Sequence, residues 1–285
     1  MKKIDIRTWV DENSEQRPFR QAVHTILTAI SGNPDLQTDM IMKGGILLAL
    51  GYESTRFTKD IDFSTATKTK DFDADRFRAQ FEGALLGAVE QLEYGLDCLM
   101  QSCRQEPPGE DRTFPTIQMK VGYADKGNAR AHRRLMAKNS SQVVQVDYSL
   151  NEPTGDTVLF AIEDGKFIRT YSFHDLVGEK FRAHLQQKVR NRIRRQDVYD
   201  LYFLLNNYPL KDDALTKLQI LKSLKEKAAA RNLAVDRESM QNPEIIRRSE
   251  AEYHQLKAEI EGELPPFNEV YAAVSAYYEE LPWDA

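Results

Sequence analysis

The sequence predicts an α+β fold in which a mixed sheet with flanking helices is followed by a helical C-terminal domain. Segments with the two-residue alternation of β-strands recur up to about residue 170. Stretches with the three- and four-residue spacing of amphipathic helices precede and separate these segments. Beyond that point only helical patterns continue, so we predict one domain over residues 1–170 and a second over residues 171–285.

The first predicted elements are an N-terminal helical region and a strand, turn, helix and strand in close succession. The helical pattern runs until Ser31-Gly32-Asn33-Pro34 closes it. A short apolar strand at residues 40–42 then leads through Lys43-Gly44-Gly45 into a helix at residues 46–50. The alternating stretch Asp60-Ile61-Asp62-Phe63 is predicted to be the next strand.

One helix, three strands and a hairpin complete the predicted sheet domain. The helix covers residues 74–92, the strands cover residues 96–102, 116–123 and 142–149, and the hairpin covers residues 157–170 around the turn Asp164-Gly165. The basic stretch at residues 125–139 is interpreted as a solvated connection, and the alternative is a surface that attracts phosphates.

The predicted second domain is a series of helices. Ser172 caps the first, whose apolar stripe continues to Val189, and a second helix covers residues 196–205. Later helical stretches are marked by three apolar stripes: Leu215, Leu218, Leu221 and Leu224; residues 245–260; and residues 267–278. We interpret these stretches as a packed scaffold, with a surface for RNA or a protein partner as the alternative.

Composition limits the classes of protein to consider. The chain has 285 residues, a hydrophobic share of 41% and a formal net charge of −5, which excludes a generally basic nucleic-acid coat protein. Without an apolar run of about 20 residues or a signal region, we expect a cytoplasmic protein with no membrane partner. Cys98 and Cys103, the only cysteines, are expected to be free thiols and not zinc ligands.

The segment from residue 40 to residue 63 carries the strongest chemical signal. Side chains alternate across a strand, so Asp60 and Asp62 are expected to project from one face while Ile61 enters the core. Two carboxylates on one face suit a hard divalent cation such as Mg²⁺. The Gly44-Gly45 turn lets the backbone approach a phosphate closely at the start of a helix. The combination indicates phosphoryl or nucleotidyl transfer.

A third carboxylate occurs in a later predicted strand. Asp147 interrupts the apolar alternation of residues 142–149. An acidic side chain in such a strand is costly unless it is paired, hydrogen-bonded or bound to a metal. An aspartate of an edge strand that faces water is the alternative interpretation.

Taken together, these stretches resemble the AbiEii/AbiGii-type nucleotidyltransferase toxins, a family of the nucleotidyltransferase superfamily with a DNA polymerase β-like fold. The residues that resemble its first motif are Lys43-Gly44-Gly45, Leu48, Arg56, Thr58 and Asp60-Ile61-Asp62-Phe63. Residues 179–183 and 195–201 resemble its later motifs. The broader superfamily often has serine where this chain has Gly45, so a hydroxyl contact to phosphate is absent here.

The resemblance implies a nucleotidyltransferase-like mixed sheet and a helical domain that completes the active-site cleft. Its implied metal ligands for Mg²⁺ or Mn²⁺ are Asp60, Asp62 and Asp147. Its implied nucleotide-binding residues are Lys43, Gly44, Gly45, Arg56, Thr58 and Lys180. Its implied catalytic residues are Asp60, Asp62, Asp147, Lys180 and Asp197, with Asp200 as the alternative to Asp197.

The family resemblance also implies a reaction and partners. An NMP would pass from an NTP to an acceptor, with tRNA or another RNA expected, in a toxin–antitoxin or phage-defence system with a separately encoded protein antitoxin. Three alternatives stay open at this point. They are a transferase that modifies a small molecule such as an aminoglycoside, a protein-modifying transferase, and a non-catalytic nucleotide-binding regulator with the same fold.

Overall fold

The computed structural model describes residues 2–109, 112–163 and 165–284, which fold into two compact units. The first unit comprises Met1–Gly51 and Thr58–Thr170, and the second comprises Tyr52–Phe57 and Tyr171–Ala285. The short segment Tyr52–Phe57 therefore packs with the helical part of the chain, although it lies within the predicted first domain, residues 1–170. None of the helices in the described ranges combines the length and the apolar character that a bilayer crossing requires.

The first unit is built on one eight-stranded mixed sheet. Its strands are β1 (Lys2–Lys3), β2 (Ile41–Lys43), β3 (Asp60–Ser64), β4 (Leu96–Glu106), β5 (Thr116–Asp125), β6 (Val143–Ser149), β7 (Thr157–Glu163) and β8 (Lys166–Tyr171). Their order is β1-β7-β8-β2-β3-β6-β5-β4. Strand β3 pairs antiparallel with β2 and parallel with β6. The predicted mixed sheet is confirmed, and the turn residue Asp164 lies outside the described residues.

Helices flank this sheet. They are α1 (Ile6–Asp11), α2 (Arg17–Gly32), α3 (Pro34–Asp39), α4 (Gly44–Tyr52), α5 (Ala74–Leu92) and α6 (Ala129–Met136). The Phe77 ring of α5 stacks on Tyr148 of β6 at 5.3 Å between centroids, and Thr25 of α2 hydrogen-bonds the buried Cys98 of β4. Tyr148 neighbours Asp147, so the aspartate projects from the opposite, polar face.

The basic stretch between β5 and β6 is a helix and not the simple connection that we predicted. Asn128 caps α6 by accepting a hydrogen bond from the Ala131 backbone N–H at 3.1 Å. The helix is anchored by Leu135, its single buried residue among those described. One apolar residue per two turns is too weak a periodicity to predict a helix from sequence.

In the described part of the second unit there are six helices. They are α7 (Phe173–Leu185), α8 (Gln187–Arg190), α9 (Arg195–Asn207), α10 (Ala214–Ala229), α11 (Pro243–Glu250) and α12 (Phe267–Glu279), with 3₁₀ turns at Ser239–Gln241 and Tyr253–Ala258. Ser172 caps α7 as predicted, since its Oγ accepts from the Asp175 N–H.

Three predicted apolar stripes of the second unit are wrong in part. Helix α7 ends at Leu185, and Val189 is 71% exposed because the chain turns into α8. On α10, Leu215 and Leu218 are exposed at 60% and 44%. The buried face of that helix is rotated toward Leu224, which packs closely against Gly178 of α7. The predicted stripe at residues 245–260 is likewise interrupted, because α11 ends at Glu250.

Candidate active site

The turn between β2 and α4 lies directly against the carboxylate of Asp62. Gly44 has a φ of +74°, and a Cβ at this position would lie 2.0 Å from Asp62 Oδ2. A Cβ on Gly45 would similarly lie 2.8 Å from Thr58 Cγ2. Only glycine at position 44 satisfies both the left-handed backbone and the close approach. Lys43 lies opposite Asp62 in the β2–β3 ladder, and its Nζ is 3.7 Å from Glu152 Oε1.

Three predicted carboxylates lie on one face of two neighbouring strands. In the parallel β3–β6 ladder Asp62 is in register with Asp147, and Asp60 is in register with Gln145. Strands that pair in a sheet are about 4.8 Å apart, so Asp62 and Asp147 are direct neighbours. Asp60 follows on the same face, two residues from Asp62.

The electrostatics of this face disfavour its negative charges. Desolvation raises the pKa of Asp60, and repulsion from Asp62 raises it further. Desolvation also raises the pKa of Asp147, and repulsion from Asp60 raises it further. The hydrogen bond from Gln145 and the charge of Lys43 lower this pKa. The Gln145 Nε2 group donates to Asp147 Oδ1 at 3.2 Å. A bound cation would relieve this mutual repulsion.

The donor set suits a hard cation, although no metal cage is formed in advance. Carboxylate oxygens are the ligands that Mg²⁺ and Mn²⁺ prefer. Within the described ranges, however, no three Asp, Glu, His or Cys side chains lie close enough together to enclose a metal ion. Mg²⁺ commonly binds through one or two carboxylates plus phosphates of the substrate, so the face fits such a site. The assignment of these residues as metal ligands stays a prediction.

The other predicted site residues lie in the second unit, around a fully buried carboxylate. Asp200 accepts two hydrogen bonds from Arg56, from Nε at 2.7 Å and from Nη2 at 2.8 Å. Lys180 Nζ donates to the same carboxylate at 2.7 Å and lies 3.5 Å from Asp197 Oδ1. Although burial alone would raise the pKa of Asp200, the two cations hold it below its ordinary value. Asp197 also lies 3.3 Å from Arg194 Nη1.

The structure thus distributes the predicted site residues over two groups. The first unit holds Lys43, Gly44, Gly45, Thr58, Asp60, Asp62 and Asp147, and the second holds Arg56, Lys180, Asp197 and Asp200. Of the two alternatives for the later carboxylate, Asp200 makes the shorter contact with Lys180. The Arg56 guanidinium is bound to Asp200, and its predicted contact with phosphate stays a prediction.

Sequence reasoning missed the side chains that support these groups. Gln145 contacts Asp147, and Glu152 pairs with Lys43. Gln145 stands two residues before Asp147 in an alternating strand, so the shared face was a signal that could have identified it. Glu152 lies in an irregular connection after β6, where no periodic pattern indicates its direction.

Substitution of Gly44 tests the close packing around Asp62. We expect Gly44→Ala to lower the free energy of unfolding by the conformational cost of a left-handed residue, about 1–2 kcal/mol, plus about 1–3 kcal/mol for overpacking. Gly95→Ala is the matched control, because Gly95 has a φ of +68° with no atom within 4 Å of the added Cβ. Denaturant unfolding of both variants measures the difference, and equal losses would contradict the packing argument.

Comparison with known proteins agrees with the geometry of the sheet. Residues 25–279 match a family described as the nucleotidyl transferase AbiEii toxin of type IV toxin–antitoxin systems. A search of curated proteins found no match.

Two solved structures from Helicobacter pylori share the fold. One, described as a candidate nucleotidyltransferase, has a TM-score of 0.53 at 14% identity, covering 94% of this chain and 95% of that one. The other, JHP933, has a TM-score of 0.54 at 14% identity, covering 94% of this chain and 92% of that one. The family match spans most of the sequence, and from it we conclude that the chain belongs to the AbiEii nucleotidyltransferase toxin family and is a nucleotidyltransferase.

Proposed function

We propose that this enzyme transfers an NMP from an NTP to tRNA in a reaction that depends on a divalent metal. The observation that carries the proposal is the register of β3 and β6, which sets Asp62 beside Asp147 and Asp60 on the same face. In this proposal the turn at Gly44 holds the polyphosphate of the NTP. This turn lies directly against the Asp62 carboxylate.

The reaction is a displacement at the α-phosphorus of the NTP. The acceptor hydroxyl oxygen forms a bond to phosphorus, and the bond to the bridging oxygen between the α- and β-phosphates breaks. Pyrophosphate leaves with that electron pair, and the hydroxyl proton passes to the carboxylate cluster and then to water. The backbone at Gly44 and Gly45 positions the triphosphate, and Lys180 offsets charge on the departing pyrophosphate. Asp197 and Asp200 orient Lys180.

Asp60, Asp62 and Asp147 would hold Mg²⁺ or Mn²⁺, which supplies charge neutralisation at the phosphates and lowers the pKa of the acceptor hydroxyl. The raised pKa values of Asp60 and Asp147 support this role, because the cluster gains stability when a cation joins it. The metal site is a proposal that direct Mg²⁺ titration of the full chain can test.

Basic surfaces in both units support a polynucleotide acceptor. In the first unit, α6 exposes Arg130, Arg133 and Arg134 at the sheet edge where β6 begins. In the second unit, Lys188, Arg190 and Arg192 are exposed around the end of α8. Desolvation lowers the pKa of Arg190, and repulsion from surrounding arginines lowers it further, so this cluster favours an anion. Phosphates of an RNA backbone would supply that charge.

The family to which the chain belongs implies an NTP substrate and a protein antitoxin. We propose that the antitoxin is separately encoded and that unneutralised transfer arrests growth. We also propose a role in phage defence, because growth arrest of an infected cell limits replication of the phage. Transfer to an aminoglycoside-type small molecule is the second candidate, and it would require an acidic pocket in place of the basic surfaces.

A transfer assay tests the proposal. The full chain is incubated with each α-labelled NTP and Mg²⁺, together with tRNA, an aminoglycoside or a cell lysate. We expect label in tRNA, with loss of labelling in the Asp60→Ala, Asp62→Ala double variant. Equal labelling by the double variant would remove the carboxylates from the mechanism. Label in the aminoglycoside or in polypeptide would replace the proposed acceptor.

A further inference from the structure

One face of strands β6, β5 and β4 continues from Asp147 as an open polar surface. Directly paired residues of a ladder share a face, so the register identifies its members. We call this surface the acceptor face, and it comprises Gln145 on β6, Gln118 and Lys120 on β5, and Ser102 and Arg104 on β4. The residues between them, such as Met119 and Val146, are fully buried on the opposite side.

The acceptor face carries positive charge in a chain whose net charge is −5. Lys120 is exposed, and its side chain makes no ion pair or hydrogen bond with any described residue. The Arg104 side chain is 61% exposed, with its Nε 3.8 Å from Glu106 Oε1. Such a long contact at the surface contributes little, so both cations can accept a new anionic partner.

Helix α6 borders the same face. A Cβ on Gly122 would project from the acceptor face, because Gly122 pairs with Val143 in the ladder that also pairs Lys120 with Gln145. This Cβ would lie 3.0 Å from Leu135 Cδ1 of α6, so the helix rests on that face at its edge. The helix that carries the exposed arginines therefore borders the face that carries Lys120 and Arg104.

The position of the acceptor face relative to the carboxylates determines what it can bind. The β2–α4 turn lies on one side of Asp62, and β6 lies on the other. If the turn holds the NTP, the acceptor must approach from the other side of Asp62. The rest of an acceptor whose hydroxyl reaches Asp147 then extends over β6 and β5. Lys120 is a diagonal neighbour of Asp147, at about 7–8 Å, and Arg104 is two strands away, at about 10 Å.

We propose that the acceptor face binds the single-stranded end of a polynucleotide acceptor and directs its terminal hydroxyl to Asp147. Lys120 and Arg104 contact backbone phosphates, while the amides of Gln118 and Gln145 hydrogen-bond sugars or bases. This inference rests on the proposed function, since a small-molecule acceptor would need no such surface. It assigns the binding of the acceptor to the sheet itself, and the phosphates give it charge complementarity.

Binding of a labelled single-stranded RNA oligonucleotide to the full chain, measured by fluorescence anisotropy without NTP, tests the proposal. We expect the double variant Lys120→Gln, Arg104→Gln to raise the Kd at least tenfold. Each lost phosphate contact on a single strand reduces the slope of log K against log salt by about 0.7, so the slope should fall by about 1.4. The control is Lys222→Gln, Lys257→Gln, which removes the same charge from exposed positions of the second unit.

The outcomes separate this inference from the proposed function. A wild-type chain that labels RNA, with equal Kd values for the test and control variants, would overturn the acceptor face alone. A wild-type chain that binds no RNA would overturn it as well. A wild-type chain that labels no RNA overturns the proposed function, whatever the binding data show. Unchanged RNA binding with lost capture of the protein antitoxin would assign the surface to that partner and overturn the proposal.

Discussion

Replacement of Asp62 by asparagine is expected to abolish nucleotidyl transfer. The substitution keeps the shape that packs against Gly44 but removes the charge that neighbours Asp60 and Asp147. A catalytic cation contributes several kcal/mol to the transition state, and loss of about 4 kcal/mol corresponds to a rate decrease on the order of 10³-fold. Initial rates of label transfer from α-labelled NTP measure the effect.

Stability distinguishes this catalytic loss from misfolding. Repulsion from Asp62 contributes to the raised pKa of Asp60, and a carboxylate with a raised folded pKa loses stability as pH rises through that pKa. Asp62→Asn should therefore leave the Tm at pH 7 unchanged or slightly higher while transfer is lost. Asp156→Asn, an exposed position in the connection before β7, is the control and should retain activity. A lowered Tm with partial activity would indicate a structural role for Asp62 instead.

Replacement of Asp200 by asparagine is expected to cause the largest loss of stability. The fully buried carboxylate neutralises both Arg56 and Lys180, and the amide would leave two buried cations without that charge. Removal of one partner of a buried ion pair typically costs about 3–5 kcal/mol. Lys180→Met should cost less, because Asp200 would keep both hydrogen bonds from Arg56.

Unfolding of the second unit can be followed on its own. The chain has two tryptophans, Trp9 in the first unit and Trp283 in the second, so a Trp9→Phe background leaves Trp283 as the reporter. Trp283 fluorescence during urea unfolding then gives the stability of the helical unit. The control is Asp212→Asn, since that side chain is 69% exposed and lies 3.9 Å from Lys217. A change of less than about 1 kcal/mol for Asp200→Asn would contradict the expected penalty.

The elements with strong periodicity were predictable from the sequence. Helix α5 has the predicted bounds, and the alternating strands that carry Asp60, Asp62 and Asp147 form where expected. In these segments local pattern and burial favour the same structure. The order of the strands was not predictable, because the pairing of β3 with β6 joins residues more than 80 positions apart.

The missed features depend on tertiary contacts. Arg56 and Asp200 are 144 positions apart, and nothing in either local sequence indicates that they pair. The leucine stripe of α10 satisfied helical spacing, yet contact with Gly178 selected a face rotated away from Leu215. Periodicity specifies that a helix is amphipathic, whereas the packing partner decides which neighbouring positions are covered.

The placement of Tyr52–Phe57 within the second unit has a consequence for how this protein can be divided. The polypeptide passes between the units three times, after Gly51, after Phe57 and after Thr170. A single proteolytic cut near residue 170 would therefore leave the fragments interlocked, with Arg56 still hydrogen-bonded to Asp200. The second unit therefore cannot be removed or exchanged by one cut near residue 170, because six of its residues, Tyr52–Phe57, lie within the sequence of the first unit.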